Sequence, residues 1–244
     1  MKKFFLIYVI SLFIAPISNA QDIIINYKDY KIENSRKVDS AFVQFLSPYA
    51  DSIHHSMKKI IGFSLNGMTK KQPESTLGNF MADCMKQMAE KKFNKKIDAA
   101  FVNYGGIRNY IPKGDVTIGA MFELMPFDNL IVLQEINGKI LQQFLNKTAE
   151  KGGWPLSGIT MGIKDKKAVN VLVNNKPLDE NATYTIANSD YVANGGDDCI
   201  MLKGIKAESI GYIFRDALIE YALLLTQQSK SIDVKTENRI VYAN

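Results

Sequence analysis

Three short segments of this chain join a stiff turn to groups that can grip a flat, polar ligand. The first is Phe101-Val102-Asn103-Tyr104-Gly105-Gly106-Ile107-Arg108, an apolar strand running into paired glycines and an arginine. Paired glycines let backbone approach a ligand closely, and a guanidinium offers a rigid fork of donors to phosphate or sugar oxygens. Asn103, Gly105, Gly106 and Arg108 are therefore candidate binding residues, although a plain tight turn also accounts for the glycines. The dinucleotide fingerprint is excluded, because its third glycine and the helix it would open are missing. The second segment is Leu124-Met125-Pro126-Phe127-Asp128-Asn129, in which Pro126 stiffens the backbone just before Phe127. A ring held this way is a stacking face, and burial in the core is its ordinary alternative.

The third segment, Asn188-Ser189-Asp190-Tyr191-Val192-Ala193-Asn194-Gly195-Gly196-Asp197-Asp198, joins an aromatic ring to a double-glycine turn ending in carboxylates. A carboxylate accepts two hydrogen bonds from a vicinal diol, which makes Tyr191, Asn194, Gly195 and Asp197 candidates for a ring-and-sugar site. Calcium is a competing use of Asp190, Asn194, Asp197 and Asp198, but the EF-hand spacing is absent, and a surface turn is the third reading. Catalytic groups are scarce. The only histidines, His54 and His55, are neighbours on an expected helix, where adjacent side chains point about 100° apart and cannot converge. Ser189 and Cys199 have no histidine near them in sequence. No catalytic residue and no metal ligand is assigned.

Taken in order, these segments resemble the C-terminal, substrate-binding domain of the 5'-nucleotidase and UDP-sugar hydrolase family. A fourth piece, Glu74-Ser75-Thr76-Leu77-Gly78-Asn79-Phe80-Met81-Ala82-Asp83, also matches, so the resemblance runs from about Val38 to Leu202. It implies a base sandwiched between Phe127 and Tyr191, contacts from Asn103 and Arg108 to base and to sugar or phosphate, and a hold of Asp197 on the ribose hydroxyls. One departure stands out: Gln72 and Pro73 occupy the place where the family commonly has an arginine. Nearby Lys70 and Lys71 lack its bidentate fork. The family hydrolyses phosphate esters with two metal ions in an N-terminal domain. The expectation is therefore a recognition half with no cofactor of its own, completed by a separately encoded metallophosphoesterase that carries the divalent metals. A stand-alone periplasmic nucleoside-binding protein is the alternative, and a fold retained with its pocket lost is a third.

The elements that must position these loops follow from periodicity. Alternation predicts strands within 21–34, and apolar spacing predicts a helix over Val38 to His55 that Pro48 would kink or interrupt. Further helices are expected from Thr76 to Phe93, Ile118 to Leu124, Lys139 to Ala149 and Ser209 to Leu225. Strands are expected at Met57 to Leu65, Ala99 to Asn103, Leu130 to Ile136, Ile159 to Ile163, Val169 to Val173, Tyr184 to Ala187 and near Ile240. Val173-Asn174-Asn175-Lys176 reads as a hairpin. The class is α+β: one compact domain with a mixed sheet and helices packed on it.

Composition sets the outer bounds. The chain has 244 residues and a formal net charge of +5. Basic residues are scattered, with no zinc spacing and no aromatic RNA-binding motif, which excludes a nucleic-acid signature. Lys2 and Lys3, an apolar run and Ser18-Asn19-Ala20 read as an export signal over 1–20, too short for a spanning helix. No cysteine follows it as a lipid site. The expected layout is a signal over 1–20, an extension over 21–37 and the substrate-binding domain over 38–244, in a periplasmic or secreted protein. Cys84 and Cys199 could pair in such a compartment, although two separate buried thiols are favoured.

Overall fold

Strands that carry apolar side chains on both faces must be covered on both faces, and this requirement organises the molecule. The computed structural model describes residues 25–31 and 38–243. Helix α1 (Ser40–Met57) is followed by β1 (Ile60–Ser64), α2 (Thr76–Phe93), β2 (Ala99–Phe101), β3 (Gly114–Thr117), α3 (Ile118–Leu124), β4 (Leu130–Asn137) and α4 (Gly138–Glu150). Then come β5 (Leu156–Ser157), β6 (Ile159–Lys164), β7 (Lys167–Val173), β8 (Lys176–Pro177), β9 (Thr183–Ser189), the single turn α5 (Asp190–Ala193), β10 (Ala207–Ile213), α6 (Phe214–Gln227) and β11 (Ile240–Tyr242). Among the described residues, those from Leu46 onward form one compact unit, and those up to Phe45 fall outside it.

The central sheet has the order β10-β4-β9-β2-β5. Its β2 and β9 run parallel while the other pairs are antiparallel, so the sheet is mixed as expected. Alternation along the strands divides the core. Ala100, Ile131, Leu133 and Ala187 join α2 and α6 in one apolar cluster. Ala99, Phe101, Ile136 and Ile186 join α4 and a second sheet, β11-β6-β7-β8, in another. Cys84 lies in the first cluster and Cys199 in the second, each a buried free thiol.

Helix α2 starts where its sequence says it should, with the Ser75 hydroxyl accepting from the Gly78 amide at 3.0 Å. The hairpin between β7 and β8 places Asn174 and Asn175 at φ 48° and 63°, the left-handed pair that a two-residue turn demands. Three expectations are corrected. Residues 25–31 form no strand: they are exposed, so their alternation has no face to bury. Helix α1 runs through Pro48 without interruption, because a missing N–H removes one rung of the ladder and leaves the rest. The expected helix from Ser209 begins only at Phe214. Residues Ala207–Ile213 pair with the open edge of β4 instead, and Gly211, at φ 74°, bulges the strand. The expected export signal lies outside the described residues. Among the described residues no helix is long and apolar enough to cross a membrane.

Candidate functional site

Strand direction brings the three chemistry-bearing loops to one edge of the central sheet. Because β2 and β9 are parallel neighbours, Ala99 facing Ile186 and Ala100 facing Ala187, their C-terminal ends lie together. Strand β4 is antiparallel to β9 with Ile131 opposite Ser189, so its N-terminal end lies at the same edge. The loops leaving β2 and β9 and the loop entering β4 must therefore meet.

They enclose a cavity of about 400 Å³ lined by Asn103, Gly105, Gly106, Arg108, Phe127, Asn129, Tyr191 and Asp197, a size suited to a small organic ligand. Phe127 and Tyr191 are 41% and 46% exposed. Neither ring is therefore a core residue, which settles the alternative left open for Phe127. Asn103 is buried, and its amide donates to Asp197 Oδ2 at 2.8 Å, tying the first loop to the third. That contact depends on Gly106: a Cβ there would lie 2.8 Å from the Asn103 side-chain oxygen. Asp197 and Asp198 sit at φ 53° and 62°, a region that aspartate enters more readily than most residues. The Arg108 guanidinium lies 5.7 Å from the Phe127 ring centre and donates to the Gly105 carbonyl at 3.2 Å.

Asn194 and Gly195, also candidates, are not among the lining residues. Asn194 turns its amide back to the Asp190 carbonyl at 2.8 Å, and Gly195, at φ 92°, makes the left-handed turn that ends α5. Four residues that support or line the site had not been singled out for it. Asn129 lines the cavity. Asp190 Oδ1 accepts from the amides of Leu130 and Tyr191 at 3.1 and 2.9 Å, so one carboxylate ties the loop of Phe127 to that of Tyr191. Arg215, buried on α6, reaches the carbonyls of Met125 and Phe127 at 3.4 Å and the Asp128 carboxylate at 2.5 Å. Gly196 faces the Tyr191 ring so closely that a Cβ would come within 2.5 Å of two ring carbons. The paired glycines signalled Gly196, and Asn129 and Asp190 stood within the quoted segments, but the roles of Asn129, Asp190 and Arg215 depend on contacts across the sheet.

Gln72, at the expected departure, has a structural job. Its amide nitrogen donates to the carbonyls of Lys151 and Gly153 at 2.6 and 2.8 Å. Ser189 caps α5, its hydroxyl accepting from the Val192 amide at 3.3 Å. Cys199 is held as a thiol, its pKa pushed up to about 12 by burial and by the neighbouring Asp197. Among the described residues no group of three or more His, Cys, Asp or Glu side chains could hold a metal ion.

A family model described as the 5'-nucleotidase C-terminal domain matches residues 32–204. The chain is similar to a 5'-nucleotidase of Vibrio cholerae, 31% identical over 174 residues that cover 66% of this chain and 30% of that protein. It is also similar to the trifunctional nucleotide phosphoesterase protein YfkN of Bacillus subtilis, 26% identical over 81% of this chain and 15% of that protein. Among solved structures, a 5'-nucleotidase precursor from Thermus thermophilus superposes with a TM-score of 0.72 at 26% identity, covering 84% of this chain and 44% of that one. The chain thus spans less than half the length of each of these relatives.

Proposed function

Because this chain belongs to the family of 5'-nucleotidase C-terminal domains, we propose that it is the nucleotide- or nucleoside-recognising part of a 5'-nucleotidase-type phosphohydrolase. In this reading a nucleobase lies between Phe127 and Tyr191, Asn129 and Asn103 supply polar contacts at its edge, and Arg108 flanks the Phe127 side. The ribose hydroxyls donate to Asp197, whose Oδ2 is already oriented by Asn103. One observation carries the proposal: three loops from distant parts of the sequence bring two half-exposed rings and one carboxylate into a single cavity.

Phosphate-ester hydrolysis in this scheme belongs to a separately encoded metallophosphoesterase with divalent metals, and this chain binds and orients the nucleoside end. Export to the periplasm, directed by residues 1–20, is part of the same proposal. The alternative is a stand-alone periplasmic nucleoside-binding protein, which would need affinity for a nucleoside without any catalytic partner.

Melting scans with adenosine, AMP and UDP-glucose test the binding reading, because a ligand at a hundredfold excess over Kd stabilises the fold by about 2.7 kcal/mol. No shift with any nucleoside or nucleotide would overturn it. Phosphate release from nucleoside monophosphates by a co-purifying metallophosphoesterase, raised when this chain is added, separates the leading reading from the alternative.

A further inference from the structure

The cavity carries balanced charge, and the cations around it are already committed. Among the lining residues Arg108 is the one cation and Asp197 the one anion. Arg108 is engaged with the Gly105 carbonyl and the Phe127 face. A smaller crevice of about 160 Å³ shares Gly105 and Asp197 with the cavity and adds Gln72, Tyr104, Lys151 and Trp154. Its ammonium, Lys151, pairs with Asp198 at 3.2 Å. Lys70 donates to the Ile107 carbonyl at 2.7 Å and sits 4.6 Å from the Tyr104 ring centre. Gln72 has spent its amide nitrogen on two backbone carbonyls, which leaves it only an acceptor oxygen to offer.

A phosphate dianion entering a cavity lined by both gains Arg108 and meets Asp197, and the attraction and the repulsion oppose each other. An uncharged nucleoside meets what the site does offer: two ring faces, the amides of Asn103 and Asn129, and a carboxylate that accepts from hydroxyls. We infer that this site recognises the nucleoside moiety and gives a 5'-phosphate no net grip, so that a nucleoside and its 5'-monophosphate bind almost equally well. The inference rests on the nucleoside reading above. It also fixes a place in a reaction sequence. For a reaction releasing phosphate from a nucleoside monophosphate, the nucleoside product competes with substrate at near-equal concentration, and hold on the phosphate comes from outside this chain.

Calorimetric titration of the full chain with adenosine, guanosine, cytidine, uridine and their 5'-monophosphates, at low and at physiological salt, tests this. For whichever base binds, the two Kd values should agree within about threefold, and their ratio should barely move with salt, because the attraction to Arg108 and the repulsion from Asp197 are screened alike. Inorganic phosphate should not displace the nucleoside. Asp197→Asn, which removes the opposing charge, should shift the ratio toward the monophosphate, whereas Arg108→Gln should shift it toward the nucleoside. A monophosphate bound about tenfold or more tightly than its nucleoside, with the gap shrinking in salt and vanishing in Arg108→Gln, would overturn this inference and leave the nucleoside reading standing. Silence across the whole panel would overturn both.

Discussion

The Asp190 carboxylate accepts a hydrogen bond from the Leu130 amide at 3.1 Å and so fixes the distance between two loops, each carrying one ring of the cavity. The same oxygen holds the Tyr191 amide at 2.9 Å. Asp190→Ala should therefore weaken ligand binding as well as stability, the latter by about 1.5–3 kcal/mol, the range for hydrogen bonds to a charged group. Asp190→Asn keeps an acceptor and should fall between. Paired titration and denaturant melts check both quantities.

Replacing Phe127 or Tyr191 with alanine should each cost about 1–3 kcal/mol of binding, the range for a base stacked on an aromatic side chain. Tyr191→Phe should keep the stack and lose only the bond that its hydroxyl accepts from the Asp197 amide at 3.2 Å. A binding loss below a factor of about ten is expected for that variant. Calorimetry on the three single variants reads the order directly.

The two glycine turns should respond oppositely to alanine. At Gly196 a Cβ would strike the Tyr191 ring, whereas at Gly105 nothing lies within 4 Å of one. Gly196→Ala should displace the ring and lower affinity. Gly105→Ala should leave the melting free energy within about 0.5 kcal/mol of the parent, as an unstrained surface change does.

Arg239 makes a bidentate pair with Asp83, at 2.7 and 2.8 Å, and donates to the Leu156 carbonyl, which pins the segment before β11 to α2. Removing one partner of a largely buried ion pair costs about 3–5 kcal/mol, so Arg239→Ala should lower stability severely. The pair lies outside the lining of the cavity, and affinity measured on the folded fraction should stay unchanged.

How much of this was legible in the sequence depended on whether a feature was local. Helix α2 was readable residue by residue, since Ser75, Thr76 and the apolar spacing from Leu77 to Met88 all act within one element. The β7–β8 hairpin followed from Asn174-Asn175 in the same way. Residues 207–213 were not readable, because their strand exists only where the edge of β4 is open to them. In the site, Phe127, Tyr191 and Asp197 stood out as types placed after apolar strands. The tying roles of Asp190 and Arg215 did not, because nothing in their neighbours shows that they hold loops some 60 and 90 positions away.

The buried thiols give a pH prediction. Burial raises both cysteines above their ordinary value of 9.0, Cys199 to about 12, and lifts Tyr221 to about 12 as well. Groups with raised folded values hold their protons in the native state and release them first in the unfolded chain. Their contribution to stability is complete below about pH 9 and is lost as pH climbs toward 12. Melting temperature should fall over that window, and native protein should resist thiol alkylation until it unfolds.

The most direct test of the central claim is a crystal structure of the chain with a bound nucleoside. The base should lie between the rings of Phe127 and Tyr191 with ribose hydroxyls on Asp197. A nucleoside bound elsewhere, with those two rings facing solvent or turned from each other, would contradict the account.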